Sequence, residues 1–210
     1  MADWDADSPQ LRRNLAKVLA TVKADAQKRG MPKVAAAKRW QRETMAGLTV
    51  PNRDHVGRFR GEPALKNVGV MIGGVPGIPT AQVAKALQKV ESTLQFVIAA
   101  IDAKYPVGTD LDVDGLAAVF DLAAWAHSEW VRIHPFVNGN GRTSRIWANF
   151  VLMCYGIPPA VRLRPRPDGG YAAACASAMS GDWKPTAVVF HKMVREAIVG
   201  SGTATSAKPP

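Results

Sequence analysis

Two stretches of near-continuous apolar sequence, from Asp112 or Asp114 to Ile133 and from Arg142 to Tyr155, flank one short polar loop. In the first, apolar residues go almost all the way round a 3.6-residue repeat, the pattern of a helix buried on every side. The second carries Ile146, Trp147, Phe150, Val151, Leu152 and Met153 and stops at Gly156-Ile157-Pro158-Pro159, as a helix C-terminus should. Two such helices joined by so short a loop must pair at the centre of a helical body. The loop between them then lies inside the core.

The flanking sequence supplies that body. Asp7-Ser8-Pro9 reads as an N-cap with proline in the first turn, and Leu11, Leu15, Val18, Leu19 and Val22 follow at helical spacing until Gly30. A second helix is expected from about Lys33 to Ala46. The β signal is confined to Lys66 to Gly77, where Val68, Val70 and Ile72 alternate before a Gly73-Gly74 turn and Val75 returns. A hairpin so short must lie on the helical body or be completed by another strand. Thr80 opens a helix bearing Val83, Leu87, Val90, Leu94, Val97, Ile98 and Ile101, and Tyr171 to Met179 and Pro185 to Val199 give two more. The fold class is all-α, seven or eight helices with one hairpin. The expected organisation is an N-terminal helical extension (1–32), a core domain (33–199) and a disordered Gly/Ser/Thr/Pro-rich tail (200–210).

With 47% hydrophobic and 21% charged residues the composition is globular, and no apolar run reaches bilayer length. The acidic start Met1-Ala2-Asp3-Trp4-Asp5 lacks the pattern of a secretory signal. Cys154 and Cys175 fit no metal or redox spacing and are expected as reduced thiols of a cytoplasmic protein. A net charge of +10 points to an anionic partner or substrate. Its basic residues are scattered, so charge alone does not choose among RNA, a nucleotide and an acidic protein surface.

The loop concentrates the chemistry. His134-Pro135-Phe136-Val137-Asn138-Gly139-Asn140-Gly141-Arg142-Thr143-Ser144-Arg145 holds an imidazole, two carboxamides, two glycines and two guanidinium groups. A helix beginning near Arg142 turns unpaired N–H groups and its positive dipole end toward the loop. Gly139 and Gly141, at positive φ, would close an N–H nest for phosphate. Arg142 and Arg145, one turn apart, reach the same anion, and Asn140 adds a donor. Phe136 is expected to plug the core. His134 is placed to take a proton from a hydroxyl attacking bound phosphorus, which implies phosphoryl or nucleotidyl transfer.

This stretch resembles the signature of the Fic family, His-x-Phe-x-(Asp/Glu)-Gly-Asn-Gly-Arg-x-x-Arg, with Asn138 in place of the acid. Gly57-Arg58-Phe59-Arg60 resembles the Gly-x-(Phe/Tyr)-Arg that precedes the family's hairpin "flap", here about 66–77. The resemblance implies a Fic-type helical bundle that transfers AMP from ATP, with Mg2+, to a Ser, Thr or Tyr hydroxyl of a target protein. Carried over, His134 is the base. Gly139, Asn140, Gly141, Arg142 and Arg145 bind the phosphates, and Val68, Val70 and Ile72 dock the target by strand addition. Asn138 stands where the family's acid helps hold the metal, and an amide is a weaker oxygen ligand. Gly139 and Gly141 stand where the phosphate-transferring Doc branch has Ala and Lys, so the loop favours nucleotidyl transfer.

The family's inhibitory pattern (Ser/Thr)-x-x-x-Glu-(Gly/Asn) finds no match, since Glu43 follows Arg39 and Glu196 follows Lys192 at that spacing. Inhibition is therefore expected in trans, from a small antitoxin offering a glutamate to Arg145, with this chain as the toxin. The alternatives are a Fic-fold transferase using UTP, CDP-choline or a kinase-like donor, and a non-catalytic nucleic-acid- or protein-binding module. Elsewhere the plainer readings are preferred. His127 is a packed or surface histidine, Trp125, Trp130 and Trp147 are core, Tyr171 does not stack on a base, and Arg162, Arg164 and Arg166 form a solvated face.

Overall fold

The computed structural model describes residues 7–203, and the side chains within them as far as residue 197. The start of the chain up to residue 6 and the end from residue 204 lie outside it, and with them most of the acidic start and of the expected tail. Seven α-helices and one hairpin follow in order: α1 (Pro9–Gln27), α2 (Ala36–Thr44), β1 (Met71–Ile72), β2 (Val75–Pro76), α3 (Thr80–Lys104), α4 (Val113–Ile133), α5 (Asn140–Cys154), α6 (Tyr171–Met179) and α7 (Lys184–Thr203). The all-α expectation therefore holds. The hairpin is antiparallel, with Met71 opposite Pro76 and Ile72 opposite Val75.

The helix limits have local causes. Ser8 Oγ accepts from Leu11 N–H at 3.1 Å to start α1, with Pro9 in the first turn. Asp112 does the same for α4, accepting from Gly115 N–H at 2.8 Å. The far end of α5 is closed from a distance: Arg29 Nε donates to Cys154 O at 2.8 Å while its guanidinium lies 4.7 Å from the Tyr155 ring centre. That a cation ends this helix suits its negative dipole end.

At the centre, α4 packs against α3, α5, α6 and α7, and α5 packs in addition against α1 and α2. Every residue of α5 from Arg142 to Cys154 is buried, as is Asn140, which is why its sequence beyond Arg145 is apolar nearly all round. An aromatic cluster joins the layers. Trp147 on α5 meets Trp40 on α2 edge-on at 4.7 Å between ring centres and Trp130 on α4 at 5.8 Å. Phe136 sits 4.9 Å from Phe59 and 6.0 Å from Trp130, so it fills the core beneath the loop as expected. Each large apolar side chain buried in this way contributes about 1.5–3 kcal/mol.

Three expectations need correction. α1 is not an appended extension: Leu11, Leu15, Val18 and Val22 lie in the same hydrophobic core as α4 and α5, and Asn14 Nδ2 bonds to Thr44 O and Ala46 O at 3.0 and 2.7 Å. The apolar stripe of α1 covers the outer face of α5, which would otherwise meet water. Second, α7 continues to Thr203, into the segment expected as tail. Third, the strands are shorter than the alternation implied. Val68 and Val70 precede β1, and only the bond from Gly77 N–H to Val70 O at 3.0 Å extends the ladder toward them. The alternation still marks burial, because Val68, Val70 and Ile72 are half-buried and Gly69 and Met71 exposed.

Phe136→Ala should destabilise the fold by about 3–5 kcal/mol in urea unfolding, because it empties a fully buried aromatic site. A loss under about 1 kcal/mol would mean that the loop is not part of the core.

Candidate active site

The site is assembled where α4 stops and α5 starts. His134 caps α4 in the left-handed conformation, φ 51° and ψ 59°, with its N–H still bonded to Trp130 O at 3.0 Å. A non-glycine residue there is strained and has to be held. The hold comes from Arg60, 2% exposed. Its Nε donates to His134 O at 2.7 Å, and its Nη2 donates to Ile133 O at 2.9 Å and Ile78 O at 3.1 Å. Its backbone N–H meets Pro135 O at 2.7 Å. One guanidinium thus ties the end of α4 to the base of the hairpin.

That strain orients the imidazole. His134 Nδ1 lies 2.9 Å from Val131 O. A carbonyl only accepts, so Nδ1 carries the proton and Nε2 presents a lone pair. Burial pushes the imidazole pKa below its ordinary value, the Val131 carbonyl opposes this, and the Arg60 charge adds to it. His134 is a neutral base at neutral pH.

The loop then turns at Gly139, φ 89°, where a Cβ would come within 3.1 Å of Met45 Cε. Asn140 does not reach outward. Its Oδ1 accepts from Phe136 N–H at 2.9 Å and its Nδ2 donates to Phe136 O at 2.8 Å, so its amide braces the loop. Gly141 is helical and not at positive φ. α5 has no side-chain cap, and its first turn lines a cleft of about 410 Å³ with His134, Asn138, Gly139, Asn140, Gly141, Arg142 and Arg145. An uncapped helix N-terminus with two arginines is an anion site. The structure brings all of these expected residues together with Ile72 of the hairpin, whereas Val68 and Val70 do not line the cleft.

Behind the cleft runs a buried relay. Arg145 Nη1 donates to Tyr171 Oη at 3.0 Å and Nη2 to Leu163 O at 2.9 Å. Tyr171 Oη is 2.7 Å from His127 Nε2. Since the guanidinium must donate, the phenol proton points to His127, which is neutral with its own proton on Nδ1. Burial, aided by the Arg145 charge, lowers His127 from the ordinary 6.5 to about 3, and burial raises Tyr171 to about 12. Arg145 is 5% exposed, and its Nε has no hydrogen-bond partner among the described residues.

Several site residues escaped sequence reading. Gln41 on α2 donates to Asn138 O at 3.3 Å and to His55 O at 3.1 Å and accepts from Gly57 N–H, stitching three segments together. No local pattern marks it. Arg166, exposed as expected, and Arg164, half-buried, line the cleft beside Tyr171 and Cys175. Their place there has a plain cause. Asn149 Nδ2 bonds to Val161 O at 2.8 Å and accepts at Oδ1 from Val161 N–H at 3.0 Å, and Leu163 O takes the Arg145 bond, so the segment is drawn onto α5. Cys154 and Cys175 are both free thiols.

A protein-held Mg2+ does not fit these residues. It requires near-octahedral oxygen ligands, usually with a carboxylate. No Asp or Glu is among the described residues lining the cleft, and no cluster of three metal-binding side chains occurs among the described residues. Asn138 Oδ1, a neutral oxygen, already accepts from Arg142 Nη2 at 3.0 Å.

Helices paired around a histidine-and-arginine loop, roofed by a hairpin, define a Fic-type domain. The family model "Fic/DOC family" matches residues 33–152, more than half of the chain, and the chain belongs to that family. Fic-family members are commonly transferases. Stretches of 41 residues are 59% identical to Protein adenylyltransferase Fic of Drosophila melanogaster and 56% identical to that of Drosophila persimilis. These stretches are 20% of this chain and 8% of each relative, so the chain spans a small part of the curated proteins it matches. Two solved structures share the fold. A Fic-domain-containing signaling protein from Bacteroides thetaiotaomicron has a TM-score of 0.63 at 18% identity over 96% of this chain and 74% of that one. Fic-1 (residues 134–508) from C. elegans has a TM-score of 0.66 at 20% identity over 96% of this chain and 55% of that one. No helix among the described residues is long and apolar enough to cross a membrane.

Burial of neutral His127 has a measurable consequence. Between about 3 and 6.5 the unfolded chain binds a proton that the folded one does not. Stability is therefore complete above 6.5 and falls as pH drops toward 3, by up to about 1.4 kcal/mol per pH unit. His127→Gln should remove that share of the slope in urea unfolding measured from pH 4 to 7. An unchanged slope would show that the imidazole is not held neutral.

Proposed function

We propose that the chain is a protein adenylyltransferase that moves AMP from ATP to a Ser, Thr or Tyr hydroxyl of a target protein. The observation that supports this most is the convergence, in one cleft, of the His134 Nε2 lone pair with the uncapped start of α5 and the guanidinium groups of Arg142 and Arg145. The short matches to proteins named adenylyltransferase agree with it.

In this reading Nε2 of His134 takes the hydroxyl proton as the hydroxyl oxygen forms a bond to the α-phosphorus. The bond from that phosphorus to the bridging oxygen breaks, and pyrophosphate leaves with the electron pair. N–H groups of the first turn of α5 meet the phosphate oxygens while Arg142 and Arg145 hold the departing charge. Asn140 acts through Phe136, keeping the loop in shape. ATP is the donor that Fic-type adenylyltransferases use in general, together with Mg2+. The hairpin over the cleft offers an extended target segment a strand edge, with Ile72 facing the site and Met71 and Val75 exposed. A small partner protein that placed a glutamate on Arg145 would compete with the phosphates, which is how an antitoxin would silence the chain.

Incubation of a host lysate with ATP or UTP labelled at the α-phosphate, with CDP-choline labelled at its choline-bound phosphate and, separately, with ATP labelled at the γ-phosphate tests the reading. Label from ATP should appear on protein and fall by about 10²–10⁴-fold in His134→Ala. Label from UTP or CDP-choline in its place would change the donor, γ-phosphate transfer would make the activity kinase-like, and no transfer together with salt-sensitive RNA binding would favour a binding module. The pH profile is a second test. Because burial lowers the His134 pKa below its ordinary 6.5, the acid limb of the rate profile should have its midpoint below 6.5. A midpoint above 6.5 would argue against His134 as the base.

A further inference from the structure

The cleft carries more positive charge than its sequence motif supplies. Four guanidinium groups line it, Arg142 and Arg145 from α5 and Arg164 and Arg166 from the 161–170 segment, and no Asp or Glu is among the described lining residues. The second pair is built in. Asn149, fully buried, holds Val161 by two hydrogen bonds, and Arg145 holds Leu163 O at 2.9 Å. Arg166 then lies with its guanidinium carbon 5.7 Å from the centre of the Tyr171 ring, on whose other contacts Arg145 depends. The one carboxylate of the segment, Asp168, pairs with Arg162 at 3.5 Å, and neither lines the cleft. Asp7, bonded to Arg12, lies close enough to Arg164 to feel its charge, which leaves Arg166 as the cleaner probe.

Such a site repels a divalent cation and attracts a polyanion. The position that would present a carboxylate to a metal is Asn138, and its oxygen is engaged by Arg142. Guanidinium groups delivered from two separate segments suit a ligand that carries several phosphates.

We infer that this cleft binds the polyphosphate chain of a nucleoside triphosphate without a protein-held metal, with Arg164 and Arg166 supplying the positive charge that such a metal would otherwise bring. The inference rests on the reading of the cleft as a nucleotide site and states how that site neutralises its ligand.

Calorimetric titration of the whole chain with ATP, in EDTA and then in excess MgCl2, decides it. ATP should bind in EDTA within about threefold of its affinity in Mg2+, or more tightly. Arg166→Gln, at an exposed side chain, should leave the melting temperature unchanged and weaken ATP in EDTA by about tenfold, with a loss under about threefold for AMP. Equal losses for ATP and AMP, or no loss for either, would overturn the role of Arg166. ATP binding that needs Mg2+, with His134-dependent labelling intact, would overturn the metal-free cradle and leave the transferase reading standing. No ATP binding in either condition, and no labelling, would overturn both.

Discussion

The buried guanidinium of Arg60 is the interaction on which the site depends. It has no carboxylate partner and is satisfied by main-chain carbonyls of Ile133, His134 and Ile78. The last carbonyls of a helix have no intrahelical donor and carry partial negative charge, so the end of α4 both needs a donor and stabilises a cation. Placing Arg60 there closes the helix and holds His134 at positive φ. It also fixes the hairpin at a set distance from the imidazole. Burial lowers the Arg60 pKa from its ordinary value, but a guanidinium keeps its charge in proteins. Removing it would leave several buried carbonyls unpaired, each costing about 1–3 kcal/mol.

Around this clamp the same economy recurs: polar side chains of the site are held by backbone and by one another, so that the groups facing the cleft are preorganised. Asn140 is spent on Phe136, Gln41 on Asn138, His55 and Gly57, and Tyr171 on Arg145 and His127. Buried networks of this kind are worthwhile when every member is satisfied. The exceptions are Nδ1 of His127 and Nε of Arg145, which lack a partner among the described residues, and Arg145 lies at the wall of the cleft. Concentrated positive charge costs stability by self-repulsion, a cost that a bound anion would offset.

Much of this was legible in the sequence. The motif from His134 to Arg145, the buried hairpin of α4 and α5, the cap at Ser8 and the plug at Phe136 follow from local patterns. Gly57-Arg58-Phe59-Arg60 was visible as a phrase, but not that Arg60 reaches 73 residues along the chain to Ile133. The alternation of Val68, Val70 and Ile72 predicted which residues turn inward and overstated the strand, because alternation reports burial while a ladder needs paired backbone groups. Asn140 looked like a ligand because an amide in a phosphate loop is a natural donor, and only the fold shows both of its polar atoms bound to Phe136. That exposed Arg166 and half-buried Arg164 face the cleft was not legible, because nothing in a Pro-rich stretch says which surface it lies on.

By itself, then, the sequence determined the helices, the pairing of the two central ones and the family signature of the loop. These depend on spacings within one or two turns and on residue types whose burial preferences are strong. The tertiary structure alone decided that α1 belongs to the core, that Tyr171 and His127 stand behind Arg145, and that four guanidinium groups share one cleft without a carboxylate. Those facts rest on contacts between segments tens of residues apart. Such contacts are selected by how whole surfaces fit once the chain is folded, and they leave no periodic trace in the order of the residues.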